Sequence, residues 1–272
     1  MKQYFFSPSE IFVSIWRNRA LLSSLVKREI QAKYKGSALG ILWSYITPVV
    51  LLILYTFVFG FIFESKWNQE QTSRLEFALI LFSGLIVFNI FSEGMIRAPN
   101  LITSHPNFVK KVVFPLEILS TASICSSLFN WATSFVIYLS AFVIMMGTPP
   151  LTALLAPVLI VPIVLISLGL SWFLSSLGVY LRDIGHLIGL IVTVNLFTSA
   201  VFYPLNAIPE NFRSIIALSP LTQAIESFRQ AVFFGHMPNW SNFLVQLCVS
   251  LLIALGGFMW FQKTRKGFAD VI

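Results

Sequence analysis

From Leu39 to Phe63 the chain carries no charged residue, and directly before it stand Lys27, Arg28, Lys33 and Lys35. A run of about 20 mostly apolar residues is long enough to cross the hydrocarbon of a bilayer as a helix. Inside that hydrocarbon a lone segment must satisfy its own backbone polar groups, and a helix does so. The basic flank cannot follow it into lipid. Lys and Arg beside a membrane segment are retained in the cytoplasm, which sets the direction of entry. Gly36-Ser37 supplies a joint between the two parts.

The pattern recurs. Further apolar runs occupy about 77–96, 118–146, 151–180, 184–202 and 243–261. The expectation is an all-α integral membrane protein with six transmembrane helices. Residues 1–38 form a cytoplasmic amphipathic interface region, and 39–272 form the transmembrane domain. Only 11% of the 272 residues are charged, against about 25% in soluble domains. The net charge of +7 does not indicate nucleic acid, because the basic cluster runs straight into a span. Its partners are instead anionic membrane lipids and a cytoplasmic protein surface. On this topology fourteen of the 18 Lys and Arg lie inside, which puts both termini in the cytoplasm and makes the number of spans even. Cys125 and Cys248 both fall in apolar runs, as small packing residues rather than a disulfide.

Local signals refine this. Ser7 to Glu10 reads as a capping box, followed by a stripe of Ile11, Phe12, Ile15 and Trp16. A second stripe, Leu21, Leu22, Leu25, Val26 and Ile30, leaves Lys27, Arg28 and Lys33 off the apolar face. These helices are expected to lie in the interface, as a lipid anchor or as a docking element. In span one Tyr55, Phe59 and Phe63 share a face. Glu93 stands four residues before Arg97, a spacing for an ion pair on one helix. Pro106 starts a short surface helix. Ser120, Ser123, Ser126 and Ser127 suit close helix packing, and Pro157 and Pro162 predict kinks. Arg182 and Asp183 form a compact inner turn. Between spans five and six, residues 203–240 are amphipathic but broken by prolines. One short helix is expected to bury Phe212, Ile215 and Ile216. A second carries Leu221, Ala224, Ile225, Phe228 and Val232 on one face, with Glu226 and Arg229 paired in a wet site. This region is either a cap on the lipid or a gate over a pathway.

There is no GxxxxGK[ST] phosphate loop. The three histidines fall in separate loops, so no metal site assembles from them. Intramembrane charge is scarce, and uphill transport would draw its energy from another chain.

Several pieces carry a resemblance. They are Arg28 to Trp43 with Pro48, Lys110 to Glu117, Tyr180-Leu-Arg182-Asp183, Phe202 to Pro209, Ser219-Pro220-Leu through Glu226-Ser-Phe-Arg229, and Phe268-Ala-Asp270. In this order, over essentially the whole chain, they resemble the ABC-2 type permeases of bacterial polysaccharide export, of the O-antigen, capsule and teichoic-acid kind. The resemblance implies a permease in the bacterial inner membrane, working as a homodimer with two copies of a cytoplasmic ATPase. The partner ATPase would bind ATP and Mg, with no cofactor in this chain. The substrate would be a lipid-linked polysaccharide, most plausibly O-antigen, taken from the inner leaflet. ATPase docking would fall to Arg28, Lys33, Tyr34, Asn107, Phe108, Val109, Lys110 and Lys111. Trp43, Tyr55, Phe59, Phe63 and Phe197 would line the channel. Tyr203, Pro204, Pro209, Phe212, Glu226 and Arg229 would belong to a periplasmic gate. An ABC-2 exporter of a small drug or lipid remains an alternative, as does a non-transporting membrane scaffold.

Overall fold

The computed structural model describes residues 9–62, 67, 74–110 and 114–272. The capping box at Ser7, most of the loop before Arg74, and the site candidates Phe63 and Lys111 lie outside the described residues. Every regular element among the described residues is helical. Two helices, α1 (Ser9–Arg17) and α2 (Arg19–Tyr34), precede the first apolar span. That span is a 3-10 turn at Gly40–Leu42, α3 (Trp43–Tyr55) with Pro48 inside it, and a π-helical segment Thr56–Ile62. Then come α4 (Arg74–Arg97), the single turn α5 (Pro106–Val109) and α6 (Glu117–Met146).

The fourth apolar run breaks where its prolines predict. A 3-10 turn and α7 (Ala156–Leu159) end at Ile160, and α8 (Val161–Tyr180) restarts with Pro162 in its first turn. Proline lacks the N–H that an uninterrupted helix would use, but fits a helix start. The remaining helices are α9 (Ile184–Thr198), α10 (Glu210–Leu218), α11 (Pro220–Val232), α12 (Trp240–Thr264) and α13 (Phe268–Val271). At the start of α12 the Asn239 side chain accepts from the Asn242 N–H at 3.2 Å.

Among the described residues, five helical stretches are long and apolar enough to cross a bilayer: Gly40–Phe59, Leu75–Asn100, Glu117–Met146, Leu151–Tyr180 and Trp240–Val271. The fifth expected span, α9, has 15 residues, which is about 22 Å of helix. That is shorter than the roughly 30 Å of hydrocarbon.

Packing follows residue size. Of the five stretches Leu75–Asn100 is the most enclosed and Gly40–Phe59 the least. α8 and α12 approach most closely at Gly169, where a Cβ would lie 2.6 Å from the Ala254 Cα. Small residues let helix backbones approach in a lipid environment, where dispersion rather than water exclusion drives association. The serines of α6 do the same job against α8, with Ser120 and Ser175 hydroxyls 3.3 Å apart.

α1 and the C-terminal tail lie at one end of the bundle. The Glu117 carboxylate accepts from the Ser14 hydroxyl and from Arg265, each at 2.8 Å. α1, the start of α6 and the C-terminal tail therefore meet there. α10, α11 and the 3-10 turn before α7 occupy the opposite end, where the Thr152 hydroxyl donates to the Ala231 carbonyl at 2.6 Å.

Candidate functional site

At the end bearing the C-terminal tail, α1 and α2 fold against the bundle. Leu25 is the buried centre of the α2 stripe, with Leu21, Leu22 and Val26 packed around it together with Ile15. Trp16, on the stripe of α1, faces away from this chain. It is 72% exposed, with the Arg19 guanidinium 5.2 Å above its ring. Ser14 takes the buried place instead, because it can donate to Glu117.

The docking candidates divide into two groups. Phe108 stacks on Phe114 at 4.2 Å and on His105 at 5.6 Å, and the Arg28 guanidinium lies 5.5 Å from its ring. Arg28 and Phe108, 80 positions apart in number, are thereby brought together. Phe108 and Val109 are partly buried in the cluster that also holds Leu25 and Phe268. Asn107 and Lys110 are exposed and face outward from this packed turn. Tyr34 is half-buried, and burial raises its hydroxyl above the ordinary value.

Lys33 is engaged within the chain. Its ammonium lies 3.1 Å from Glu93, and the Asn130 amide donates to both oxygens of that carboxylate at 2.8 Å each. Arg97 pairs with Glu29 at 3.6 Å. The expected Glu93–Arg97 pair on one helix is therefore replaced by two pairs between α4 and α2. Spacing along a helix reveals only partners on that helix, whereas the folded chain offers closer ones from α2. Arg182 and Asp183 are exposed in the turn before α9, and neither makes an ion pair among the described residues.

Aromatic rings form a chain at the opposite end. Tyr55 and Phe59 are 6.4 Å apart, Phe59 and Phe202 5.9 Å, and Phe202 and Phe197 5.6 Å. Phe59 and Phe197, both lining candidates, are thus joined through Phe202, which the sequence reading placed in the Phe202 to Pro209 motif but not among the lining residues. Its place directly after the fifth apolar run was the available signal. Trp43 stands apart at the start of α3, donating to the Ser37 hydroxyl at 2.8 Å. Tyr203 donates to the Phe197 carbonyl and ties the turn to the end of α9.

α11 buries the face expected of it, with Leu221, Ala224, Ile225, Phe228 and Val232 all in the core. α10 does not. Phe212 is 60%, Ile215 70% and Leu218 73% exposed, so its apolar side faces away from this chain. The turn before it carries Pro204 and Pro209, and Arg213 closes that turn by donating to the Asn206 and Ile208 carbonyls at 3.0 Å each.

The pairing of Arg229 with Glu226 is present at 2.9 Å, but not in a wet site. Arg229 is fully buried. Its guanidinium donates to the Ile80 carbonyl of α4 and to the Ala200 and Val201 carbonyls after α9, at 3.1–3.3 Å. Its centre lies 4.4 Å from the Trp67 ring. Ala200 holds a left-handed backbone, φ 52°, in the turn whose carbonyls Arg229 binds. Burial pulls the Arg229 pKa down, opposed mainly by Glu226. A planar five-donor fork can serve several acceptors at once, and so Arg229 fastens α11 to both α4 and α9. Gly84 makes room for it, since a Cβ there would meet Nη2 at 2.5 Å.

A bundle of long apolar helices, with amphipathic helices folded against one end and a proline-broken segment at the other, has the architecture of a membrane permease. The chain belongs to the ABC-2 type transporter family, which it matches over residues 20–233. Its relatives extend the similarity to nearly full length. It is 28% identical over 261 residues to the O-antigen export system permease protein RfbA of Myxococcus xanthus, covering 95% of this chain and 97% of that protein. It is 22% identical to the protein of the same name from Klebsiella pneumoniae, over 93% of this chain and 95% of that one. The polysialic acid transport protein KpsM of Escherichia coli is 25% identical over 91% of this chain and 94% of its own length.

Proposed function

We propose that this chain is the membrane-spanning permease of an ABC exporter that moves a lipid-linked polysaccharide, of O-antigen class, across the bacterial inner membrane. The observation that carries this reading is the near-complete coverage, in both directions, by permeases of O-antigen export. Energy comes from two copies of a separate ATPase that binds ATP and Mg on the cytoplasmic side. The permease is a homodimer, with six spans per subunit, α9 being the fifth, and with both termini in the cytoplasm.

Exposure supports the dimer. α3 leaves Val49, Val50, Ile53 and Leu54 uncovered, the π-helical segment after it leaves Phe57, and α9 leaves Leu190, Ile191, Val194 and Phe197. These faces meet the second subunit, and the Tyr55–Phe59–Phe202–Phe197 rings serve the passing glycan. Aromatic faces offer broad, weak contact to sugar C–H groups, so a polymer can slide. Asn107, Lys110 and Arg28 present the docking surface, while Phe108 and Val109 hold its shape from within. α10 and α11 gate the periplasmic mouth.

Reconstitution with the ATPase tests the function. Lipid-linked glycan is expected to stimulate ATP hydrolysis and to appear in the vesicle lumen, and no stimulation by any lipid-linked glycan would exclude the reading. A single cysteine at Asn239 is expected to react with an impermeant thiol reagent from outside the cell, in a background lacking Cys125 and Cys248. Labelling at Ser104 from outside would break the topology. Cross-linking Ile215 between subunits is expected to stop export while sparing assembly. Normal export after cross-linking would make α10 a cap and not a gate.

A further inference from the structure

Two ion pairs join α2 to α4, and their arrangement carries more information than either pair alone. Glu29 and Lys33 are one turn apart on α2, and Glu93 and Arg97 are one turn apart on α4. The helices meet antiparallel, so that 29 faces 97 and 33 faces 93. The rungs are separated by about 6 Å along each axis. Each helix presents one negative and one positive group, in the order that matches its partner in this register only. Sliding α2 by one turn sets Lys33 against Arg97, or Glu29 against Glu93. Like charges at that distance repel about as strongly as the native pairs attract.

α6 supplies a third hold. Asn130 fixes both oxygens of Glu93 and so sets where the acceptor for Lys33 sits. The rungs are shielded from water on one side. The side chains of Glu29, Lys33, Arg97 and Glu93 are 19%, 22%, 29% and 30% exposed, so water screens the repulsion in a slipped register only in part. Arg28 adds positive charge beside Glu29.

We propose that Glu29, Lys33, Glu93 and Arg97 form an electrostatic register lock that makes α2 and α4 move as one body. A push on α2 from the ATPase then enters the most enclosed span of the bundle rather than being lost as sliding of a surface helix. The four are positioning residues and touch no substrate. The coupling role rests on the docking reading of α2 given above, but the lock itself does not.

The test separates register from attraction. Lys33→Glu breaks one rung. Lys33→Glu with Glu93→Lys restores attraction, but leaves α2 wholly acidic and α4 wholly basic at these positions, so every register pairs. Adding Glu29→Lys and Arg97→Glu inverts all four charges and restores discrimination. Asn130 accommodates a cation at 93 by turning its carbonyl toward it. Spin labels at the exposed positions Gln31 and Ile96, in a background lacking Cys125 and Cys248, report the register of the assembled complex directly. One narrow distance is expected for the parent chain and the four-charge inversion, and a second population about one turn away for the two-site swap. Glycan exported per ATP hydrolysed is expected to fall about tenfold in Lys33→Glu and in the swap, and to recover in the inversion. Should Lys33→Glu fail to accumulate, Lys33→Met removes the attraction without adding repulsion, and is expected to broaden the distance. A swap as narrow as the parent, or an inversion no narrower than the swap, overturns the lock. Normal register behaviour with unchanged export per ATP overturns the coupling role. Failure of the parent chain to co-purify with the ATPase is a failure of the docking reading instead.

Discussion

Arg229→Met keeps much of the side chain's length and removes every donor. The guanidinium is fully buried and binds three carbonyls and Glu226. Two of those carbonyls, at Ala200 and Val201, lie in the turn after α9 and outside any helix. A buried group left without its hydrogen bond costs about 1–3 kcal/mol, so these two together cost about 2–6 kcal/mol. The Ile80 carbonyl suffers less, because the Ser83 hydroxyl also donates to it at 2.6 Å. Glu226 is partly exposed and keeps Gln230 at 2.9 Å, so it relaxes toward water. The middle of that range is about 4 kcal/mol. At about 2–4 °C per kcal/mol for a chain of this order of size, Tm falls by roughly 8–16 °C. The assay is thermal unfolding of the purified protein in detergent, followed by tryptophan fluorescence. Arg229→Lys, with a point charge and no planar fork, is expected to lie between the two. A Tm for Arg229→Met within about 2 °C of the parent would mean that the carbonyls find other donors, and would refute the account of Arg229 as a clamp.

Gly84→Ala places a methyl against Nη2 and also 3.2 Å from an Ile225 methyl, so it is expected to reproduce part of the Arg229→Met loss in the same melt. Gly257→Ala drives a Cβ into the Gly169 carbonyl and forces α8 and α12 apart; overpacking of this kind costs about 1–3 kcal/mol, and reduced accumulation in the membrane with a lower Tm is its signature. Glu117→Gln weakens the hold on Arg265 and Ser14, and is expected to increase proteolysis at both chain ends together, because one carboxylate holds both. Burial raises the Glu29 carboxyl above its ordinary value, and the attractions of Arg97, His105, Arg28 and Lys33 only partly offset this. The folded chain therefore holds that proton more tightly than the unfolded chain, and stability from this group falls as pH rises from the ordinary to the raised value. Glu29→Gln is accordingly expected to raise Tm at neutral pH and to flatten its dependence on pH in the acid range, even as it removes a rung from the lock. A lower Tm at neutral pH would show that the Arg97 contact outweighs desolvation.

The Glu93–Arg97 case shows how far pattern reading reaches. Both residues are visible at the inner end of a span in a charge-poor chain, and their spacing suits a pair on one helix. Their actual partners lie 60 and 68 positions away in sequence, on a helix whose own pattern shows only an apolar stripe and a basic face. The wet environment assigned to Arg229 failed for a related reason. A lone Arg on an amphipathic helix resembles a surface residue until the carbonyls of α4 and of the Ala200 turn are placed around it. The α10 face was misread because an apolar stripe announces burial without saying whether the cover is this chain, lipid or another subunit.

What the sequence determined by itself is what local physics determines. Long apolar runs become helices because lipid leaves a lone backbone no other way to satisfy its polar groups. Prolines break the fourth run near Ile160, since no residue supplies the missing N–H. Lys and Arg spacing gives an expected direction of insertion, because charge crosses lipid at high cost. The tertiary structure alone decided which carboxylate meets which cation, which glycine backs which helix, and which ring links Phe59 to Phe197. Those pairings depend on helices separated by tens to hundreds of residues, and hydrogen bonds and close contacts are set over distances of a few ångströms that periodicity along one helix does not encode.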